Sequence, residues 1–439
     1  MLLENGLNKK NSHYMVGYDL GEEYSQISYC TSDQQQPETL PTVAGTELFN
    51  IPTVVCKRKE TNQWFYGKEA VIRAETGEGY LVDHLVSRAC AGELIELEGQ
   101  RYDAVALLTI FVKRSFGLFF QLAPLNRIDM LVITAESMNH AMIKALEQVS
   151  DGLALQTKNV FFQSYAESVY EYMLHQPQEL WQEETVVFYY GTDGIRVYHL
   201  EFNRHTEPVV GIIHSEKHDF VLSGPAEKDA EASMQKDELF ARISQAELSE
   251  HLVSSVYLIG EGFTGEWMKL SLSMVCQAGQ RVFQGSNLFS KGAACRAYEK
   301  QVPGSLSREY IFLGKSKLKS NIGMQVIRQG EDSYLALLDA GQNWYDAHTE
   351  YEVYLEEENF FSLLVTPLAP VTQVGTQDGK VREERIILDG LPDRPAGTTR
   401  LRLCLEMSDV EHLTLKVEDL GFGDIFPATH QIWSSTIAI

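Results

Sequence analysis

Apolar residues open the chain at Val16-Gly17-Tyr18-Asp19-Leu20, break at Gly21 and resume through Ser25 to Tyr29, the pattern of a buried strand, a tight turn and a returning strand. A polar stretch, 31–47, separates this hairpin from a second, in which residues 51–55 pair with 64–67 across a charged loop at 57–62. A helix is expected over 68–75, and a longer apolar one from the N-cap Asp103 to about Phe120. The apolar run 130–134 reads as a strand. Met138, Ala141, Met142, Ala145, Leu146 and Val149 then share one helical face, and 159–163 and 166–174 follow as strand and helix. Strand, helix and strand in succession mean a layered α/β domain.

Residues 185–200 repeat the opening pattern of strand, glycine-bearing turn and strand, a sign of internal duplication. A strand at 209–214, an acidic helical stretch at 226–251 with solvated polar faces, and a buried strand at 255–259 come next, followed by a helix from Glu266. After Val302-Pro303-Gly304, a natural linker, the grammar changes. Short alternating strands at 334–338, 351–355, 361–365, 384–388, 400–406 and 412–417, without helices between them, indicate an antiparallel β-sandwich.

Composition narrows the function classes. The 439 residues are 44% apolar with only 13 prolines, which suits a globular protein of two to four domains. A formal net charge of −24, from 61 acidic and 37 basic side chains, disfavours nucleic acid or an anionic membrane as the main partner. Residues 1–14 lack a signal-peptide core, and no apolar run is expected to reach the roughly 18 residues needed to span a bilayer, so a cytoplasmic location is expected. The six cysteines are too dispersed for a zinc or disulfide framework, and most of them read as buried thiols.

Two turns carry candidate chemistry. A strand ending in Asp19-x-Gly21 puts a carboxylate at its tip, where it can hold a hydrated metal ion, while the glycine lets backbone approach a phosphate; an ordinary hairpin has the same pattern. Gly260-x-Gly262-x-x-Gly265 stands between a strand and a helix, as in a dinucleotide fingerprint. That site needs an acid at the end of the next strand, roughly 20 residues on, and residues 281–284 lead instead into Gly285-Ser286-Asn287.

The order of these elements resembles the actin/hexokinase/heat-shock-seventy ATPase superfamily, and within it the heat-shock-seventy chaperones. VGYDLGEEYSQISY resembles their first phosphate hairpin, IPTVV with FYGKEA the next hairpin, and MLVITAESMNHAMIKALEQ their strand and helix leading to the inter-lobe helix. VYLIGEGFTGEW with NLFSKGAACRAYE resembles the adenosine-binding strand and following helix, and IILDGLPDRPAGTTRLRLCLEMSDVEHLTLKVEDLGFG the last strands of the peptide-binding sandwich.

The resemblance implies an α/β fold: a tail at 1–14, two ribonuclease-H-like lobes at 15–180 and 181–302, and an antiparallel β-sandwich at 310–439, without the family's helical lid. It also implies ATP or ADP with magnesium, held by Asp19, Gly21, Gly191, Gly194, Gly260 and Gly262, with Asp19 on the metal. Several positions depart from the family pattern. Glu22 and Glu23 replace small hydroxyl residues, and two carboxylates facing a triphosphate repel it unless a metal intervenes. Tyr189 and Arg196 replace two metal-organising acids, Asp193 falls where backbone should meet phosphate unless a shifted alignment gives it a metal role, and Glu261 interrupts the adenosine turn. Gln163-Ser164-Tyr165-Ala166-Glu167 lacks the glutamate and proline that open the inter-lobe helix.

These departures imply a heat-shock-seventy-like module that binds a protein or peptide partner through a degenerate scaffold; the alternative is a divergent ATPase whose cycle controls partner binding, and a small-molecule kinase fits less well. Phe360 and Phe361, after Glu356-Glu357-Glu358, are candidate peptide contacts, although a Phe pair at a strand start equally suits a core.

Overall fold

Tyr14–Leu20 (β1) is buried along its whole length, as a strand covered on both faces must be. Tyr14 and Tyr18 pack against Phe119 and Phe116 on one side, while Met15 lies in the core on the other. This strand centres a computed structural model that describes residues 13–153, 155, 157, 159–191, 193–220, 230–249, 251–276, 280–304, 306–356, 359–367 and 381–439. Most of the 1–14 tail, Thr192, Glu357 and Glu358 lie outside the described residues. The chain divides into two compact units, Met1–Tyr310 and Ile311–Ile439.

In the first unit, β1 pairs antiparallel with Tyr24–Thr31 (β2), which pairs with Gln34–Thr39 (β3). Helix Ala104–Ser115 (α1) starts at the Asp103 cap, whose carboxylate accepts from the Val105 amide. Ile128–Ala135 (β4) then runs parallel to β1, and after His140–Leu153 (α2) the strand Val160–Ser164 (β5) runs parallel to β4. The resulting order is β3-β2-β1-β4-β5. Helix Tyr165–Leu174 (α3) follows directly.

The second sheet repeats this plan. Glu184–Gly191 (β6) pairs antiparallel with Gly194–Asn203 (β7), which pairs with Val209–His218 (β8). Helices Ala230–Leu248 (α4) and Leu270–Val275 (α5) flank Val253–Ile259 (β9), parallel to β6, and Arg281–Gly285 (β10) is parallel to β9. The order β8-β7-β6-β9-β10 and every strand direction match the first sheet, and the register places Tyr189 and Arg196 where Asp19 and Gln26 stand in it. Helix Leu288–Gln301 (α6) follows β10 as α3 follows β5.

These two helices cross over. α3 lays Tyr170 against Phe202 of β7 and the backbone of β8, while α6 lies on the first sheet. Small residues make that approach feasible: Ala293, Ala294 and Ala297 pack on Met15, Cys30, Met130 and Val132. A methyl group on Gly17 of β1 would sit 2.2 Å from the Ser290 carbonyl oxygen, so only glycine fits there.

The second unit contains two four-stranded antiparallel sheets. The first joins Ser320–Arg328 (β11), Glu331–Leu338 (β12), Phe360–Pro367 (β14) and Arg382–Ile387 (β15). The second joins His348–Leu355 (β13), Thr399–Met407 (β16), His412–Gly421 (β17) and Ile432–Ala438 (β18). Leu401, Leu403 and Leu405 alternate with less buried residues along β16, giving that sheet one core face.

Three expectations need correction. Residues 51–55 do not form a single strand: Ile51–Pro52 pairs with Tyr24 and Ser25 of β2, and Val55–Arg58 alone pairs with Trp64–Tyr66. The polar stretch after the first hairpin contains β3. One helical stretch among the described residues, Ala104–Gln121, is long and apolar enough by length and composition to cross a membrane, where no such run was expected. Its Leu107, Leu108, Phe111, Val112, Phe116 and Phe119 are all buried within the unit, as in the core helix of a globular domain.

Candidate functional site

The tips of β1 and β6 open into a cleft of about 1330 Å³ within the first unit. Asp19, Gly21, Gly191, Gly260 and Gly262 all line it, brought together from three turns. Gly194 is not among the lining residues: a methyl group there would lie 2.3 Å from the His218 carbonyl oxygen, so its glycine serves the close pass of β8. Asp193 does line the cleft, but its carboxylate pairs with Lys217, which holds its pKa below the ordinary value.

Asp19 is only 6% exposed. Its Oδ1 accepts a hydrogen bond from the Tyr165 hydroxyl at 2.7 Å. Burial pushes the carboxyl up to about 7, only partly offset by that hydroxyl, so near neutral pH it is about half protonated.

Tyr165, the first residue of α3, stacks on Phe289 near the start of α6 with centroids 3.9 Å apart and planes 4° from parallel. Tyr189 meets both rings edge-on, at 5.7 Å and 5.1 Å. Three aromatic rings therefore close the floor where the strand tips and the two crossing helices converge. Burial raises the pKa of both phenols, keeping them neutral.

The lining as a whole is acidic, with eight carboxylates against two lysines. Glu22 accepts from the backbone amide and hydroxyl of Ser87, at 3.1 Å and 2.7 Å. Asn50 bridges the two halves, accepting from Gln26 and donating to Glu261. Arg196, read as the replacement for a metal-organising acid, forms an ion pair with Glu136. Lys236 donates to the Gly262 carbonyl at 3.0 Å and lies over the rings of Tyr190 and Trp267, at 4.8 Å and 4.2 Å.

The adenosine-like turn is filled from within the protein. A methyl group on Gly262 would come 2.1 Å from the Tyr190 ring, so this glycine is required by an internal aromatic side chain. Helix α5 begins at Leu270 rather than Glu266, because Asp237 of α4 accepts from the amides of Lys269, Leu270 and Ser271 and fixes the start there. These residues do not fit a magnesium–nucleotide complex. Carboxylates predominate in the lining and repel a phosphate that no metal screens, and Tyr190, Trp267 and Lys236 pack against the turn expected to hold adenosine.

Sequence reasoning identified Asp19 and the glycines but missed Tyr165, Phe289 and Lys236. Tyr165 and Phe289 sit at the starts of helices after predicted strands, and that shared position is the signal that could have paired them. In the second unit, Phe361 is buried, and Phe360 lies beneath the Arg385 guanidinium at 3.3 Å, so neither ring presents an open apolar contact for a peptide.

Residues 36–315 match the family of unknown function DUF5716, C-terminal part. That match covers more than half of the chain, which belongs to this family. Residues 317–439 match a domain of unknown function, DUF8552, so the junction of the two matches falls close to the boundary between the compact units. No curated protein matches the chain significantly. The hairpin carrying Asp19 lies ahead of the first match.

Proposed function

We propose that the first unit is a pair of ribonuclease-H-like lobes of the actin/hexokinase/heat-shock-seventy type whose nucleotide site has been given over to internal packing, and that the protein is a heat-shock-seventy-like module binding a protein or peptide partner. The repeated strand order, with one helix after each sheet crossing to the other, supports the fold reading. The observation that carries the functional reading is the stacked Tyr165–Phe289 pair closed by Tyr189, at the convergence of strand tips where phosphates and metal would have to sit. Phosphoryl transfer depends on positioned positive charge around a triphosphate, and here the lining is predominantly anionic.

The formal charge of −24 favours a protein partner over nucleic acid and suits a cytoplasmic setting. The second unit, with its two antiparallel sheets, is the partner-binding part in this reading, through a surface other than Phe360 and Phe361. The second reading is a divergent ATPase, favoured by one observation: Asp19 remains at the tip of β1 beside an open cleft. Isothermal titration of the full chain with ATP or ADP and magnesium separates the two. The expected result is no binding up to millimolar nucleotide; micromolar affinity abolished in a folded Asp19→Ala variant would favour the ATPase.

A further inference from the structure

The face of the second sheet covered by α4 is apolar along most of its length. Val186, Phe188, Ile195 and Val197 pack beneath Phe240 and Ile243. At one end of this core the same inward alternation places Glu184 on β6 and His199 on β7, and the matching positions of the helix turn give Glu247. His251 follows α4.

We propose that Glu184, His199 and His251 form a binding site for one divalent transition-metal ion of zinc-like chemistry. Their candidate ligand atoms all lie within 4.8 Å of one another. His199 Nδ1 is 2.5 Å from one oxygen of Glu184, and His251 Nδ1 is 2.6 Å from the other, so both imidazoles converge on a single carboxylate. Two imidazole nitrogens and a carboxylate suit zinc, whereas calcium and magnesium prefer oxygen donors throughout.

A second observation points the same way. The other ring nitrogen of His199 is held by Glu247 at 2.8 Å. A carboxylate behind a histidine orients the ring, the usual outer-shell support of a zinc site, and here the metal would take the place of the proton that Nδ1 shares with Glu184. Glu247 is itself fixed, because its other oxygen accepts from His218 Nε2 at 2.6 Å. Glu184, His199 and Glu247 are each 12% exposed in their side chains, so the site is sheltered, and His251 at 44% leaves an entry path.

A neighbouring group, Glu216, His218 and Glu247, also meets the distance condition. It contains one imidazole instead of two, and its Glu247 is already engaged by His199, so the first group is the stronger site. Three protein ligands leave a coordination position for water. Metal at this point ties the segment after α4 to β6 and β7, and the same helix carries Ser233, Lys236 and Asp237 into the wall of the cleft.

The test uses the full chain stripped with a chelator. Zinc chloride is titrated in competition with a chromogenic chelator, and cobalt is substituted to read coordination from visible absorption. One equivalent of zinc is expected to bind, with an intense cobalt spectrum of low coordination number and a raised melting temperature. His251→Ala, at a half-exposed position, is expected to stay folded by circular dichroism and weaken zinc at least about tenfold. His205→Ala, exposed on the β7–β8 turn, leaves binding unchanged. Equal zinc affinity in wild type and His251→Ala overturns the assignment. So does binding that survives His251→Ala but is lost in Glu216→Gln, which would place the ion on the neighbouring group, and so does a weak octahedral cobalt spectrum in the wild type.

Discussion

Asp19 shows how one side chain can retain a motif while its environment changes its chemistry. Its folded pKa of about 7 lies well above the ordinary 3.8, because burial disfavours the charged form more than the Tyr165 hydroxyl favours it. Between about pH 4 and pH 7 the folded protein therefore holds a proton that the unfolded chain has released, and this group makes stability fall as pH rises through that window. Asn at position 19 keeps an acceptor for Tyr165 and abolishes the ionisation. Asp19→Asn is expected to match wild type near pH 4 and exceed it at pH 8 by on the order of 4 kcal/mol, read from urea midpoints. A variant less stable than wild type at pH 8 would mean that a cation holds the ionised carboxylate. Asp19 and Gly21 were legible because Asp-x-Gly is local. Tyr189 was legible as a residue of the second hairpin, but the ring's union with Tyr165 and Phe289 was not, since the three come from separate segments joined only by the fold. The His199 group was missed because the metal reading rested on cysteine spacing, whereas its ligands come from two strands and the end of a helix.

Among the elements, legibility followed burial. The two hairpins and the β4–α2–β5 unit announce themselves through apolar runs and glycine turns. β3, with the sequence Gln-Gln-Gln-Pro-Glu-Thr, carries no apolar signal because it is an edge strand held by backbone pairing to β2. β11 and β18 went unread in the second unit. The start of α5 was misplaced because its capping carboxylate, Asp237, lies more than thirty positions upstream. The tightest contact between elements is that of α6 on β1. Gly17→Ala forces a methyl group against backbone atoms of Ser290 and Ala294, neither of which can rotate aside. A loss of about 3 kcal/mol or more is expected in denaturant unfolding of the first unit. A loss below about 1 kcal/mol would show that the helix can lift from the strand at little cost.

Across the whole molecule, the division into two units makes stability a property of each unit. In the second, Arg394 donates to both oxygens of Asp419 at 2.7 Å and 2.8 Å, with side chains 4% and 0% exposed. Burial alone would raise the Asp419 pKa, but Arg394, Thr429 and Gly421 together hold it well below the ordinary range. Arg394→Ala leaves that charge buried without its cation and is expected to cost about 3–5 kcal/mol. Calorimetry should show the transition of Ile311–Ile439 falling while that of the first unit stays in place; an equal fall of both would mean that the units unfold as one. The duplication was visible in the sequence as a repeated hairpin, yet the exchange of helices between the sheets was not, because nothing local in α6 names the strand it covers. That exchange has a consequence during synthesis. β1 and β2 are made first, but the helix that covers them is complete only at Gln301. At cellular elongation rates the nascent first sheet, complete at Ser164, waits roughly 7–27 s for its cover, with the face bearing Met15 and Met130 open to any chaperone at the ribosome exit.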